Sequence, residues 1–354
     1  MKKFRLLLLP FSFVYGLGVM ARNLAFDLGI MKSREFELPV ISVGNLSVGG
    51  SGKSPMTEYL IRLLKPKYKV ATLSRGYGRK SKGFRFVELT SSSSDSGDEP
   101  LQFKRKFNDI TIAVCEDRVE GIKRLEKDHQ LIILDDAFQH RSVRPGLSLL
   151  LFDYHEIFKF KILLPAGNLR EPVWEMDRAD FIVVTKTPPV LDLSDRKHIL
   201  ENLNLRSQQH IFFSYLKYGN LIPLNSEMEV RALLSIKVTA QVILLTGIAN
   251  PAPLLYELGG YTQHITHHSY PDHHNFSQKN ISKLVSSFNR LSGEDKLIIT
   301  TEKDAQRLGS KEIKELLDSL PVYYLPVEAE IHEPEKAQFN ELIEKYAAEF
   351  TTHN

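Results

Sequence analysis

The sequence predicts an α/β fold built on a mostly parallel sheet, and three observations carry that expectation. Runs such as LIILDD (131–136) and FIVVTK (181–186) are apolar without alternation, as strands covered on both faces are. Amphipathic stretches such as 117–127 separate them, in the rhythm of crossover helices. Between the first strand and the first helix lies VGNLSVGGSGKSP (43–55), whose second half fits the phosphate-loop pattern G-x-x-x-x-G-K-[ST]. The sheet is therefore expected to be P-loop NTPase-like. The 354 residues are enough for two ordinary cores, so a second, smaller α/β domain is expected as well.

Taken in order, the chain begins with an uncharged run, LLLLPFSFVYGLGVM (6–20), preceded by Lys2, Lys3 and Arg5. No small-x-small cleavage site follows it. Broken by Pro10, the run is also shorter than the roughly 20 residues a membrane span needs. Residues 1–30 are thus expected to form a helix lying in a membrane interface, as part of the N-terminal domain. Residues 31–221 are expected to form the main domain. Its strands are placed at 39–45, 69–74, 110–115, 131–136, 147–153 and 181–186, with helices at 54–65 and 117–127. Residues 222–354 are expected to form the smaller domain. There the strands fall at 238–247, 261–267, 296–300 and 321–327, with helices at 252–258, 277–290 and 334–350. A net charge of +3 is too small to argue for a nucleic-acid partner. The single cysteine, Cys115, excludes an internal disulfide and fits a reducing compartment.

The loop carries the first chemistry. Gly49, Gly50 and Gly52 let backbone N–H groups turn toward an anion at a helix N-terminus. Lys53 is placed to reach the β- and γ-phosphates, and the Ser54 hydroxyl to ligate Mg²⁺. Ser47 stands where the pattern asks for its first glycine. Ser47, Val48 and Ser51 complete the expected nucleotide cradle. A strand ending in Asp135-Asp136 supplies the acidic pair that would hold Mg²⁺ in the same sheet. Gln139 and His140 leave that strand end. Arg75 and Arg79, Arg118, and Arg170 with Glu171 follow other strands of the sheet. All are expected at the C-terminal edge, where open α/β sheets bind ligands. Asp98 opens SGDEP after a polar loop and also suits a helix start. Five histidines fall between 264 and 274 (His264, His267, His268, His273 and His274). No H-E-x-x-H or cysteine pairing accompanies them, so a zinc site is the lesser reading. PDHHNFS couples an aspartate to a histidine, as a tuned general base requires. Lys303-Asp304 ends a strand and suits either a nucleotide contact or a helix cap.

These segments, GNLSVGGSGKSP, SRGYGR, GDEP, LDDAFQH, NLREP, VTK, TGIANP, DHHNF and TEKD, occur here in one order. In that order the chain resembles the tetraacyldisaccharide 4′-kinases, the lipid A 4′-kinase family, from the N-terminal helix to about residue 305. The last 50 residues are similar only in general character. The resemblance implies a membrane-associated, two-domain kinase at the cytoplasmic face of the inner membrane. It would use Mg-ATP to phosphorylate the 4′-hydroxyl of a tetraacylated glucosamine disaccharide 1-phosphate, giving lipid IVA. It implies a catalytic dyad of Asp98 and His273, with Asp135 and Asp136 serving Mg²⁺ and the transition state. Gln139, His140, Arg170 and Glu171 would lie near the lipid headgroup or phosphates. No obligatory protein partner is implied. Ser51 and Ser54 replace commoner threonines, and Ala137 a common glycine. A GTP-dependent switch and a zinc-binding adaptor are the competing classes, distinguished by nucleotide preference and metal content.

Overall fold

The computed structural model describes residues 5–225 and 227–350; Lys2 and Lys3 lie outside the described residues. The first sheet takes β1 (Val40–Gly44), β2 (Val70–Ser74), β3 (Arg85–Phe86), β4 (Thr111–Val114), β5 (Leu131–Asp135), β6 (Leu147–Asp153), β7 (Phe181–Thr185) and β8 (His210–Tyr218). The second takes β9 (Ile222–Pro223), β10 (Gln241–Thr246), β11 (Ile265–Ser269), β12 (Lys296–Thr301) and β13 (Val322–Leu325), before β14 (Val327–Ile331) returns to the first. The spatial orders are β14-β8-β7-β6-β1-β5-β2-β4-β3 and β11-β10-β12-β13-β9. Among the described residues, only the edge pairs β3/β4, β14/β8 and β13/β9 of the named strands run antiparallel.

The unbroken apolar runs are explained by burial on both faces. In β1, Ile41 and Val43 pack with Met56, Leu60 and Leu64 of the helix Lys53–Leu64, whereas Val40 packs on the other face with Leu73 and Ile122. The second sheet is sandwiched likewise, with Val242 and Leu244 on one side and Ile243 and Leu245 on the other.

Three differences from the sequence reading matter. The expected strand 321–327 is two strands in two sheets, parted at Pro326, which cannot continue a ladder of N–H donors. The smaller unit accordingly ends near Leu325 rather than at residue 354. β14 pairs with β8, and the helix Glu335–Glu349 buries Phe339, Ile343 and Ala347 in the first sheet's core. The strand expected at 261–267 begins later, at Ile265, because Thr262 is spent on a turn, its hydroxyl donating to the Ala240 carbonyl. β3, β8 and the helix Leu193–Leu203 were not foreseen. β8 is buried only over Phe212, Phe213 and Ser214, and its charged and polar positions mask it.

The N-terminal helix, α1 (Leu9–Asp27), docks by one narrow polar stripe. Ser12 Oγ donates to the Leu163 carbonyl at 3.0 Å, Tyr15 Oη to the Arg170 carbonyl at 2.9 Å, and Arg22 pairs with Glu171 at 3.1 Å. Gly16 permits the approach, since a Cβ there would lie 2.8 Å from Leu163 Cδ1. The rest of the helix faces outward with Leu9, Phe11, Phe13, Val14 and Leu24 exposed. By length and composition the segment Leu6–Asp27 is sufficient to cross a membrane.

Candidate active site

The phosphate loop runs from the end of β1 to α2 (Lys53–Leu64). Gly49 and Gly52 take φ of 115° and 81°, conformations open to glycine at little cost. Ser47 needs no such freedom. Among the described residues the left-handed non-glycines are Asp136, Lys186, Asn204 and His273. Ser47 instead bridges Leu169 in antiparallel fashion, and Val48 N–H donates to the Asn168 carbonyl at 2.8 Å. The loop's first half is thus held by the NLREP segment rather than by a glycine turn. Its second half is held by β7 and the residue after it. Thr185 Oγ1 donates to the Ser51 carbonyl at 2.8 Å, and Lys186 Nζ to the Gly50 carbonyl, while Lys186 also pairs with Asp153 at 2.7 Å. The Ser51 hydroxyl is buried with no hydrogen-bond partner, facing a cradle that a phosphate oxygen would complete.

Lys53 Nζ lies 3.1 Å from Asn45 Oδ1 and 3.6 Å from Asp136. Asp136, left-handed at φ 49°, also receives Arg170 at 2.9 Å, and Arg170 reaches Gln139 Oε1 at 3.3 Å. Asp135 is buried and accepts from Thr57 Oγ1 at 3.1 Å. Burial, then the charges of Glu99 and Asp136, push its pKa up to about 7. Burial opposes ionisation of Asp136 as well, but Lys53 and Arg170 hold it below the usual carboxylate range. Two adjacent acids beside Lys53, at the start of the helix that carries Ser54, offer carboxylates of the kind Mg²⁺ takes, one or two at a time, with water and phosphate completing its shell.

A second cluster comes from both sheets. Asp98 begins α3 (Asp98–Lys106), and its Oδ2 accepts His273 Nδ1 at 3.0 Å. His273 is left-handed at φ 58°, and its backbone N–H donates to the Gly247 carbonyl at the end of β10. A non-glycine residue in that region costs on the order of 1–3 kcal/mol and gathers where function demands it. Arg307 Nη2 and Nε reach the same Asp98 oxygen at 2.6 and 2.9 Å. Burial would raise the Asp98 pKa, but the bonds from His273 and Arg307, with the Arg307 and Lys303 charges, hold it low. Lys303 Nζ pairs with Glu99 at 3.0 Å and lies 3.4 Å from His273 Nε2. Tyr77 packs its ring 5.2 Å from the imidazole. The two clusters adjoin: burial opposes ionisation of Glu99, but the charges of Lys303 and then Lys53 hold its carboxyl below the usual range.

The remaining expected residues sit as follows. Arg75 is exposed beyond β2. Arg79 folds onto its own loop, pairing with Glu116 at 2.7 Å. Arg118 is buried against the Cys115 and Glu116 carbonyls, and His140 Nε2 accepts its backbone N–H. Glu171 is buried between Arg22 and Arg178, which makes it an anchor of α1. The clustered histidines disperse: His267 bonds Thr246 Oγ1 and His274 bonds Asn280 Oδ1. Arg307, Thr57 and Lys186 were not singled out from the sequence. The VTK segment contained a signal for Lys186; nothing in the local pattern marks Arg307.

The family model described as tetraacyldisaccharide-1-P 4′-kinase matches residues 4–348. The chain belongs to this family. Relatives named tetraacyldisaccharide 4′-kinase in Parabacteroides distasonis and Bacteroides thetaiotaomicron are each 46% identical, covering 97% and 98% of this chain and 95% and 94% of their own. A crystal structure of LpxK from Aquifex aeolicus in complex with ATP superposes with a TM-score of 0.72 at 31% identity, covering 97% of this chain and 99% of that one. The protein is an ATP-using kinase of lipid A biosynthesis, and its acceptor is a lipid disaccharide.

Proposed function

We propose that this kinase acts at the cytoplasmic face of the inner membrane and that the Asp98–His273 pair activates the 4′-hydroxyl of its lipid acceptor. The observation that carries this reading is the 3.0 Å contact between Asp98 Oδ2 and His273 Nδ1, made across the two sheets beside the phosphate loop. An ionised carboxylate is acceptor-only, so Nδ1 carries the proton and Nε2 keeps its lone pair. Nε2 takes the proton of the attacking hydroxyl, and the Asp98 charge stabilises the imidazolium that results. Lys53 and the loop N–H groups orient the γ-phosphate for in-line attack. Ser54, Asp135 and Asp136 would hold Mg²⁺, which when bound offsets negative charge on the transferring phosphoryl group. Arg170 and Gln139, bonded to each other beside Asp136, would hold acceptor or nucleotide phosphate, together with exposed Arg75. Lys303, bonded to Glu99 and 3.4 Å from His273 Nε2, would attend the transferring phosphate beside the base.

The outward face of α1 would seat in the lipid headgroup boundary. Its inner stripe grips residues 163–171, which include Arg170, so the element that meets the acyl chains also shapes the phosphate site. Transfer of labelled γ-phosphate from ATP to the disaccharide 1-phosphate lipid tests the reading. His273→Ala is expected to lower turnover about 10²- to 10⁴-fold, the usual range for a lost general base, with ATP affinity retained. Turnover near wild type would remove His273 from the chemistry.

A further inference from the structure

Arg307 lies beyond every motif the sequence displays, yet it ties together the parts of the proposed dyad. Its side chain is 2% exposed. Nη2 and Nε both reach Asp98 Oδ2, at 2.6 and 2.9 Å. Nη1 donates to Asp304 Oδ1 at 2.7 Å and to the Gly247 carbonyl at 2.9 Å. That carbonyl also accepts the His273 backbone N–H at 3.0 Å. Asp304 in turn accepts the Gly247 N–H at 2.9 Å. One planar guanidinium therefore spans the helix that carries Asp98 and the strand end that holds His273 in its left-handed conformation.

We infer that Arg307 is a positioning residue for phosphoryl transfer, fixing the Asp98 carboxylate against His273 so that the imidazole presents Nε2 to the acceptor hydroxyl. This inference rests on the Asp98–His273 reading above. The fork matters. Two N–H bonds on one oxygen and a third nitrogen on the opposite anchor fix an angle as well as a distance. A lysine ammonium brings the same charge without that angular constraint. All three donors to Asp98 converge on Oδ2, and the charges around the pair are Lys303, Glu99, Asp272 and Asp304.

A buried arginine also supports the fold, so the test must separate the two roles. Arg307→Lys is measured alone and in an Asp98→Ala background, with kcat, both KM values and thermal midpoints. If Arg307 acts through Asp98, Arg307→Lys lowers kcat about 10- to 100-fold in the wild-type background, and by less than about 2-fold once Asp98 is absent, with KM for ATP unchanged in both. Equal losses in the two backgrounds, or no loss in the first, would overturn the inference. Asp98→Ala with near-normal turnover would instead defeat the dyad reading itself, before the cycle is read. Should Arg307→Lys fail to fold, Asp304→Asn loosens the Nη1 anchor, and its kcat loss is read in the same cycle by the same criterion.

Discussion

His140 shows how a single side chain at this site responds to its surroundings. Its Nε2 accepts the Arg118 backbone N–H at 3.3 Å, so the folded protein favours neutral imidazole. Burial, then the Arg118 charge, push its pKa down to about 4. The unfolded chain takes up a proton near the ordinary value of about 6.5, so it binds more protons than the native state below that pH. The His140 contribution is therefore complete above about 6.5 and is lost progressively as pH falls toward 4. Urea midpoints across that window are expected to fall with acid in the wild type and to fall less in His140→Gln. Identical pH profiles for the two proteins would show that the histidine is not the group responsible. Residue-scale placement was legible where a motif fixed it: Lys53, Asp98, Asp135, Asp136 and His273 all lie at the two adjoining clusters. It was illegible where a partner is set by topology. Arg118, Arg79 and Glu171 share the charge and strand-end position of ligand-binding residues, yet each is consumed by an internal ion pair or carbonyl.

At the scale of elements, α1 was recognised from composition, but its mode of attachment was not. Interfacial helices are expected to lie loosely, whereas this one is bonded from Ser12 to Arg22 along the segment that also holds the phosphate loop, and at Asp27 to Arg141. The close approach depends on Gly16. A valine there would place carbon within 2.8 Å of Leu163 Cδ1, and either that side chain turns aside or the helix moves outward to admit it. Overpacking of this kind typically costs about 1–3 kcal/mol. Gly16→Val is expected to lower the thermal midpoint by several degrees and to reduce kcat/KM for the lipid more than KM for ATP. The check is a thermal scan beside steady-state kinetics in both substrates. An unaffected lipid parameter would separate α1 docking from acceptor use. Parallel strands such as β5 and β7 were legible because burial on both faces leaves an unbroken apolar run. β8 and β14 were not. Both border the sheet's antiparallel edge, where one face tolerates Lys217, Glu328 and Glu330, and the charges dilute the pattern.

For the whole molecule, the return of the chain decides what counts as a unit. Sequence rhythm alone assigns everything after residue 222 to the smaller domain, because the alternation of strand and helix runs on without a linker. Pro326 is the sole local mark of the crossing. Beyond it, β14 covers the edge of β8, and the helix Glu335–Glu349 lays Phe339 and Ile343 against the same core as Leu60 and Leu64 of α2, the helix that carries the phosphate loop. Tyr346 Oη bonds both the N–H and the carbonyl of Val40 at 3.1 Å, at the start of the strand leading into that loop. Burying side chains of this size contributes about 1.5–3 kcal/mol each, and three or four of them equal a large share of the roughly 5–15 kcal/mol that holds a domain folded. A chain ending at Pro326 keeps every residue of the phosphate loop, the acidic pair and the dyad. It is nonetheless expected to lose ATP binding and the cooperative unfolding transition of the first sheet, measured by nucleotide titration and calorimetry. If residues after 326 belonged to a self-contained second domain, the same cut would leave ATP affinity intact. Retained affinity would therefore show that the first sheet folds without its borrowed edge, and that β14 and the last helix are covering rather than structure.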